Sequence, residues 1–235
     1  MERLEKIYEG KAKTVYSTSD PDLLIMYFKD EATAFDGTKR GQILNKGIIN
    51  NKISSKIFME LERRGIATHF VKTLSDREML VKRMQMIPVE VVMRNVAAGS
   101  LAKRMGIEEG TPLRERVIEL FYKSDPLHDP MINEYHIRAF NLATDSELKI
   151  MVETADKIND ILLPMFAKVG IRLVDYKLEF GEHHGRILLG DEITPDGCRL
   201  WDMGTDEKLD KDRFRRDLGK LEWAYEEVFK RVMSI

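Results

Sequence analysis

Residues 173–181, LVDYKLEFG, and residues 187–199, ILLGDEITPDGCR, predict a β-hairpin with a dense set of charges. Successive side chains on a strand point to opposite faces. Asp175, Lys177 and Glu179 therefore share one face, and the apolar and aromatic residues between them lie on the other. We expect the apolar face to pack in a core, which leaves a charged face opposite it.

The loop of this hairpin decides which residues face each other. A three-residue loop at 183–185, with its glycine in the left-handed conformation, places Lys177 opposite Asp191 and Glu179 opposite Leu189. The carboxylates of Glu179 and Asp191 then lie close together beside a lysine. Such oxygen ligands suit Mg²⁺, which takes one or two carboxylates and leaves its other positions to water and substrate phosphates. A solvated sheet face with cross-strand ion pairs is the alternative interpretation.

The composition indicates a compact protein without a membrane segment. With 235 residues and 43% hydrophobic content, the chain can form one large core or two lobes, since domains contain roughly 50–250 residues. A net charge of −2 provides no basic field, so nucleic-acid binding is not expected. The single cysteine, Cys198, cannot form an internal disulfide and suits a reducing cytoplasm. The charged N-terminus does not resemble a signal peptide, and no apolar run approaches ~18 residues.

The rest of the chain predicts a strand-rich first part followed by helices. β-branched and aromatic runs bounded by turn residues predict strands at 6–8, 13–16, 23–28, 71–81 and 89–93. The first three form an antiparallel meander, and a turn at Ser75 and Asp76 breaks the strand at 71–81. Apolar residues spaced by four predict an amphipathic helix over 43–64. Thr144 and Glu147 form a capping box that opens a second long helix. One or two further helices are expected over 214–233.

The turn YEGKAKTVY at residues 8–16 has the chemistry of a phosphate lid. Gly10 lies between two predicted strands, and Lys11 and Lys13 alternate after it. Backbone amides and two ammonium groups of this kind can approach a polyphosphate. A surface turn with solvated lysines is the alternative, and the chain contains neither GxxxxGK[ST] nor GxGxxG.

The segment LVKRMQMIP at 80–88 joins two predicted strands through a short apolar connection. Such a connection can present backbone groups to adenine, with Met84 and Met86 against the ring and Lys82 near phosphate. A core crossover between two lobes fits the residues equally well.

The next segment, VEVVMRNVAAGS at 89–100, leads from a strand through small residues into a helix. Free amides at the start of a helix favour an anion, and Arg94 and Ser100 can complete such a site. A plain turn between strand and helix is the competing interpretation.

Two of these segments, MIPVEVVMRNVAAGS at 86–100 and LVDYKLEFG at 173–181, resemble the signature segments of the phosphoribosylaminoimidazole-succinocarboxamide synthase (SAICAR synthetase) family. The similarity covers nearly the whole chain. It continues through YEGKAKTVY at 8–16, HDPMINE at 128–134, GDEITPDGCRLWD at 190–202 and DKDRFRRDLG at 210–219.

The resemblance implies an α+β fold of two lobes, with antiparallel sheets and a kinase-like ATP cleft. Residues 1–87 would form a strand-rich, nucleotide-binding lobe, and residues 88–235 a lobe that binds substrate and metal. The family uses ATP and Mg²⁺ in purine biosynthesis to join L-aspartate to carboxyaminoimidazole ribonucleotide as an amide. The resemblance further implies a cytoplasmic homodimer.

The resemblance also assigns roles to individual residues. Those for ATP are Gly10, Lys11, Lys13, Lys82, Met84 and Met86. Those for Mg²⁺ are Glu179 and Asp191. Those for the phosphate and carboxylate of the ribonucleotide are Arg94, Ser100, Lys177, Arg199 and Arg215. Those near the reacting groups are Lys177, Asp175, Lys123 and Asp129.

Several neighbouring features stay open at this point. Residues 36–40, DGTKR, are expected to be a mobile loop that meets aspartate, with a solvated turn as the alternative. His128 is interpreted as a structural hydrogen-bonding residue, and His183 and His184 as exposed at the hairpin tip. A kinase and a non-catalytic nucleotide-binding protein are the rival functions, although no HRD-like or DFG-like element occurs.

Overall fold

The structure is a computed structural model that describes residues 2–34 and 38–235, where the chain forms thirteen β-strands and six α-helices. The strands are β1 (Lys6–Glu9), β2 (Lys13–Ser17), β3 (Leu23–Phe28), β4 (Glu31–Ala34), β5 (Lys39–Gln42), β6 (Phe70–Ser75), β7 (Glu78–Lys82), β8 (Gln85–Val96), β9 (Pro112–Tyr122), β10 (Met131–Ile132), β11 (Ile171–His183), β12 (Arg186–Leu189) and β13 (Cys198–Asp202). The helices are α1 (Lys46–Arg63), α2 (Gly99–Met105), α3 (Glu134–Ala139), α4 (Asp145–Lys168), α5 (Asp212–Arg215) and α6 (Leu221–Met233).

Two larger antiparallel sheets organise the chain. The first has the order β1-β2-β3-β7-β6, so the predicted meander is confirmed. The second has the order β10-β9-β8-β11-β12, and β13 also pairs with β11. Arg83 and Met84 connect β7 of the first sheet to β8 of the second. The apolar segment in this region therefore crosses between the two sheets.

The helices cover these sheets and join them through one core. The capping box of α4 is confirmed, since Thr144 Oγ1 accepts from Glu147 N at 3.2 Å and Glu147 Oε2 accepts from Thr144 N at 2.7 Å. α1 begins three residues later than the predicted start, after Asn45, which has a left-handed φ of 61°. A single apolar cluster extends from Phe28 in the first sheet to Tyr176 in the second. The lobe boundary at residue 87 stays a prediction.

The register predicted for the β11–β12 hairpin is wrong by one residue. His183 pairs with Arg186, and Phe180 rather than Glu179 pairs with Leu189. The loop contains only His184 and Gly185, with φ of 48° and 77°, as a tight hairpin turn with two left-handed residues requires. A histidine in the sequence does not indicate a left-handed conformation, so we expected a longer loop.

The end of β12 also changes the setting of Asp191. The strand stops at Leu189, and Asp191 turns away with a left-handed φ of 56°. Asp191 is therefore presented by the connection between β12 and β13, not by a strand. None of the helices in residues 2–34 and 38–235 is long and apolar enough to cross a membrane.

Candidate active site

Strand β11 carries the charged residues of the site at alternate positions. Asp175 is only 4% exposed and Glu179 only 2% exposed. Lys177, between them, is half-buried. The solvated-face interpretation is therefore wrong for the two carboxylates. Buried charges of this kind need opposite charges as partners, and β11 contributes to two clusters that supply them.

We call the first group the lysine cluster; it consists of Lys13, Lys123, Lys177, Glu179 and Asp191. The Lys177 ammonium contacts both carboxylates, pairing with Glu179 and lying 3.9 Å from Asp191 Oδ2. Lys13 pairs with Asp191, and Lys123 pairs with Glu179. Three separate parts of the chain thus bring ammonium groups to two acidic residues.

Mutual attraction shifts the pKa of three members of this cluster toward their charged forms. Burial by itself lowers the pKa of Lys13, but Asp191 and Glu192 outweigh burial, and the net pKa is raised. Burial likewise opposes ionisation of Asp191, but Lys13 and Lys177 hold its pKa below the ordinary value. The pKa of Lys177 is raised because Glu179 and Asp191 outweigh its desolvation. At neutral pH Lys13 and Lys177 are therefore ammonium groups, and Asp191 is a carboxylate.

We call the second group the arginine cluster; it consists of Arg94, Asp175, Arg199, Asp212 and Arg215. Arg94 Nη1 and Arg199 Nη1 both donate to Asp175 Oδ2 at 2.8 Å. Arg199 Nε donates to Asp212 Oδ2 at 2.9 Å, and Arg215 Nη1 donates to Asp212 Oδ1 at 2.6 Å. Carboxylates thus alternate with guanidinium groups, and the guanidinium groups are held in defined orientations.

The small-residue loop before α2 lets Arg199 enter the arginine cluster. Gly99 has a left-handed φ of 53°, and a Cβ at this position would collide with the Arg199 guanidinium. Ser100 follows directly, and its Oγ accepts from Arg94 Nη2 at 3.2 Å. The loop therefore brings a hydroxyl and two guanidinium groups together, as the sequence suggested for an anion site.

The residues predicted for the nucleotide lie around the lysine cluster and the crossover. Gly10 N donates to Lys13 O at 2.8 Å and closes the turn before β2. Lys11 Nζ pairs with Asp125 Oδ1 at 2.7 Å, and both side chains are exposed. Lys82 Nζ donates to Thr68 O at 3.0 Å and is not part of the cluster.

The two crossover methionines lie against the hairpin backbone. A Cβ on Gly181 would approach Met84 Cβ to 2.8 Å and Met86 Sδ to 3.3 Å. Met86 stays 42% exposed. A Cβ on Gly190, next to Asp191, would collide with Met84 Cε. Glycine at these positions lets the methionines cover the start of the loop that carries Asp191.

The remaining predicted residues are more peripheral. Asp129 Oδ1 accepts from Ser124 N at 2.8 Å, and its charge contributes to a raised pKa of Glu90, whose main cause is burial. Asp36 and Gly37 of the predicted loop lie outside the described residues. The loop prediction is wrong for Lys39 and Arg40, which lie in β5 and pair with β4. Lys39 Nζ donates to Phe214 O at 2.6 Å.

The hairpin tip contacts the first half of the chain. His183 Nδ1 lies 2.7 Å from Arg83 O, and His184 Nε2 lies 3.1 Å from Asp22 Oδ1. His184 is exposed as predicted, whereas His183 is half-buried.

The sequence reasoning missed four buried residues at the site: Glu90, His69, Glu192 and Asp212. Glu90 Oε1 accepts from Lys177 at 2.9 Å. Burial lowers the pKa of His69 to about 3, with the Asp191 charge acting against it. Glu192 Oε2 has no hydrogen-bond partner among the described residues. Its place beside Asp191 in GDEITPDG was a usable signal, whereas nothing in the sequence marks His69.

Comparisons with known proteins agree with this geometry. The SAICAR synthetase family profile matches residues 6–232. A phosphoribosylaminoimidazole-succinocarboxamide synthase of Clostridium kluyveri is 57% identical over 232 residues, which cover 99% of each chain. The crystal structure of the synthase from Ehrlichia chaffeensis has a TM-score of 0.95 and 49% identity, covering 98% of this chain and 99% of that one. A SAICAR synthetase solved in complex with ADP has a TM-score of 0.94 and 49% identity, covering 97% of each chain. This chain belongs to the SAICAR synthetase family.

Proposed function

We propose that this protein uses ATP to join the α-amine of L-aspartate to the carboxylate of 5-amino-1-(5-phospho-D-ribosyl)imidazole-4-carboxylate, the carboxyaminoimidazole ribonucleotide. The products are SAICAR, ADP and phosphate, in de novo purine biosynthesis. Family membership and a relative that binds ADP support this activity. The observation that carries the proposal is that β11 holds Asp175 in the arginine cluster and Glu179 in the lysine cluster, with Lys177 between them.

The chemistry needs two anions held side by side. A carboxylate is a poor acyl donor, so its oxygen first attacks the γ-phosphorus of ATP, and ADP leaves. The aspartate amine then attacks the acyl carbon, loses a proton, and displaces inorganic phosphate. Alternate residues on a strand are about 7 Å apart, so Lys177 lies within one such step of Asp175 and of Glu179. The strand can therefore bring the two reactants into contact.

The lysine cluster is assigned to ATP. Phosphoryl transfer depends on positioning and on neutralising charge on the phosphate oxygens. Lys13, Lys123 and Lys177 supply three ammonium groups for that purpose, and Lys11 approaches from the exposed turn. No protein nucleophile is required, which agrees with the buried position of Cys198 and with the pKa of its thiol, which burial raises.

The lysine cluster also suits Mg²⁺. The described residues contain no preformed group of three or more His, Cys, Asp or Glu ligands. Glu179 and Asp191 nevertheless both contact the Lys177 ammonium. The buried Glu192 Oε2 beside them has no hydrogen-bond partner among the described residues. Two carboxylates plus substrate phosphates are a usual Mg²⁺ set, so we assign Glu179 and Asp191 to the metal. When bound, Mg²⁺ would neutralise phosphate charge.

The arginine cluster is assigned to the ribonucleotide. Arg94, Arg199 and Arg215 offer guanidinium forks, and Ser100 offers a hydroxyl, for its phosphate and carboxylate. Asp175 and Asp212 hold these forks in place before substrate arrives. Lys177 lies at the border of the two clusters, where the carboxylate would meet the γ-phosphate.

Three further features are proposals that follow from the family resemblance. Residues 1–87 and 88–235 act as a nucleotide lobe and a substrate lobe. The protein acts as a homodimer, which sedimentation equilibrium can test. It works in the cytoplasm, and the unpaired Cys198 fits a reducing compartment.

An omission experiment tests the proposed function. ADP release is measured with ATP, Mg²⁺, aspartate and the ribonucleotide, and then with each component left out. The ligase predicts sustained ADP release only in the complete mixture, with SAICAR found by mass spectrometry. Sustained ADP release without aspartate would indicate a kinase, and no ADP release in any mixture would indicate a non-catalytic nucleotide-binding protein.

A further inference from the structure

A polar stripe on α1 faces the connection between β12 and β13, residues 190–197. Lys46, Asn50 and Ser54 recur every fourth residue, so they lie on one face of the helix. All three are at most 1% exposed. A lysine is almost never fully buried unless it is paired, so this stripe requires partners.

The main partner is Asp196, which is contacted from two helices. Lys46 Nζ donates to Asp196 Oδ2 at 2.5 Å, and Asn50 Nδ2 donates to the same oxygen at 3.0 Å. The Tyr225 hydroxyl on α6 donates to Asp196 Oδ1 at 2.6 Å. Burial disfavours the charge on Asp196, but Lys46, Lys211 and the hydrogen bonds from Lys46 and Tyr225 together outweigh it and hold the pKa of Asp196 well below its usual range. The buried ion pair between Lys46 and Asp196 therefore anchors the loop.

The anchored loop carries Asp191 in a left-handed conformation. L-residues adopt this region only where the surrounding structure enforces it, although Asp tolerates it better than most. Before Asp191, Gly190 N donates to Glu179 O at 2.8 Å. After it, Ile193 N donates to Ser54 Oγ at 3.3 Å. Asp191 is thus held between β11 and the polar stripe.

We propose that Lys46, Asn50, Asp196 and Tyr225 form a positioning unit that fixes Asp191 for ATP binding. This inference rests on the proposed role of Asp191 at the nucleotide. The four residues act through the loop and do not contact the phosphates themselves. A misplacement of about 1 Å in a site group can lower the rate about 100-fold, so loosening the loop should weaken nucleotide binding and turnover together.

Two variants weaken the anchor without leaving Lys46 or Asp196 as an unpaired charge. Tyr225→Phe keeps the ring and deletes only the hydroxyl. Lys46→Met with Asp196→Asn neutralises the pair. The matched control is Arg231→Met, also on α6, which deletes an ion pair with Asp202 Oδ2 at 2.8 Å, at the far end of β13.

Calorimetry measures the dissociation constants of a non-hydrolysable ATP analogue with Mg²⁺ and, separately, of the ribonucleotide, alongside turnover and the melting temperature. We expect the double variant to bind the analogue about tenfold more weakly, since charge-assisted hydrogen bonds are lost from the loop. Tyr225→Phe should shift the same constant by less. Ribonucleotide affinity should stay at the wild-type value in both, and Arg231→Met should lower only the melting temperature.

A purely structural role would give the opposite pattern. Wild-type analogue affinity in folded Tyr225→Phe and in the folded double variant, or equal weakening of both ligands, overturns the positioning unit. If the double variant does not fold, Tyr225→Phe decides. Asp191→Asn distinguishes a failure of the positioning unit from a failure of the proposed role of Asp191. Unchanged analogue binding in Asp191→Asn rejects the role of Asp191 at the nucleotide. Weaker analogue binding in Asp191→Asn, but not in the two anchor variants, rejects only the positioning unit.

Discussion

Replacing Arg94 by lysine should separate ribonucleotide binding from ATP binding. Arg94 is 4% exposed, and its guanidinium donates to Glu119 at 2.7 Å, to Asp175 at 2.8 Å and to Ser100 at 3.2 Å. A lysine keeps the positive charge but has one compact ammonium in place of a planar fork. It cannot reach all three acceptors in the same geometry.

The structure bounds the effect on stability. A hydrogen bond to a charged group contributes about 1.5–3 kcal/mol. Glu119 keeps its pairing with Arg104, and Asp175 keeps Arg199. Neither carboxylate is therefore left alone, and we expect the free energy of unfolding to fall by about one such bond. The loss of the fork should raise the ribonucleotide dissociation constant more than tenfold, about 1.4 kcal/mol or more.

Calorimetric titration of each ligand checks this prediction. ATP affinity should stay within twofold of wild type, because Arg94 has no contact with the lysine cluster. Arg116→Lys is the matched control. Arg116 lies on the face of β9 opposite Glu119, the partner of Arg94, and pairs with Asp156 at 2.8 Å. Equal weakening of both ligands by Arg94→Lys would refute the reasoning and identify Arg94 as a structural residue.

Three further predictions concern residues in or next to the lysine cluster. Asp191→Asn removes the carboxylate charge but little volume, and should abolish most turnover; full activity at every concentration of a Mg²⁺ titration would reject the assignment. Lys13→Met should lower turnover by about 10²–10³-fold as a buried electrostatic donor, and Lys11→Met by much less because Lys11 is exposed; equal effects would contradict the structure. His69, whose pKa burial lowers to about 3, stays neutral when folded, so its contribution to stability is present above about pH 6.5 and is lost as the pH falls toward 3. Between pH 7.5 and pH 5, the free energy of unfolding measured in urea should fall by about 2 kcal/mol less in His69→Gln than in the wild type. An equal fall in both proteins would exclude His69 as the source of the pH dependence.

Local patterns in the sequence predicted much of the fold. The strand alternation of β11, the meander and the capping box of α4 depend on side-chain period and on local hydrogen bonds, and all three are present. The hairpin register was missed because it depends on His184 adopting a left-handed conformation. That conformation depends on tertiary contacts that no short sequence pattern reports.

The site could be predicted only in part from the sequence, because some of its residues are brought together only by tertiary contacts. Arg94, Asp175 and Lys177 stand in motifs whose spacing suggested their chemistry. Asp212 was not singled out, although it holds Arg199 and Arg215, because its role arises only when α5 folds against β13. The polar stripe of α1 could not be predicted as a functional feature, because it has the same four-residue period as the apolar stripe that predicted the helix.

An isotope-transfer experiment tests the central claim that β11 brings the ribonucleotide carboxylate against the γ-phosphate of ATP. The ribonucleotide is labelled with ¹⁸O in its carboxylate and converted in the complete reaction. Attack by the carboxylate on phosphorus, followed by cleavage of the acyl carbon–oxygen bond, predicts one ¹⁸O atom in each inorganic phosphate released. Phosphate free of ¹⁸O, with SAICAR still formed, would contradict the account.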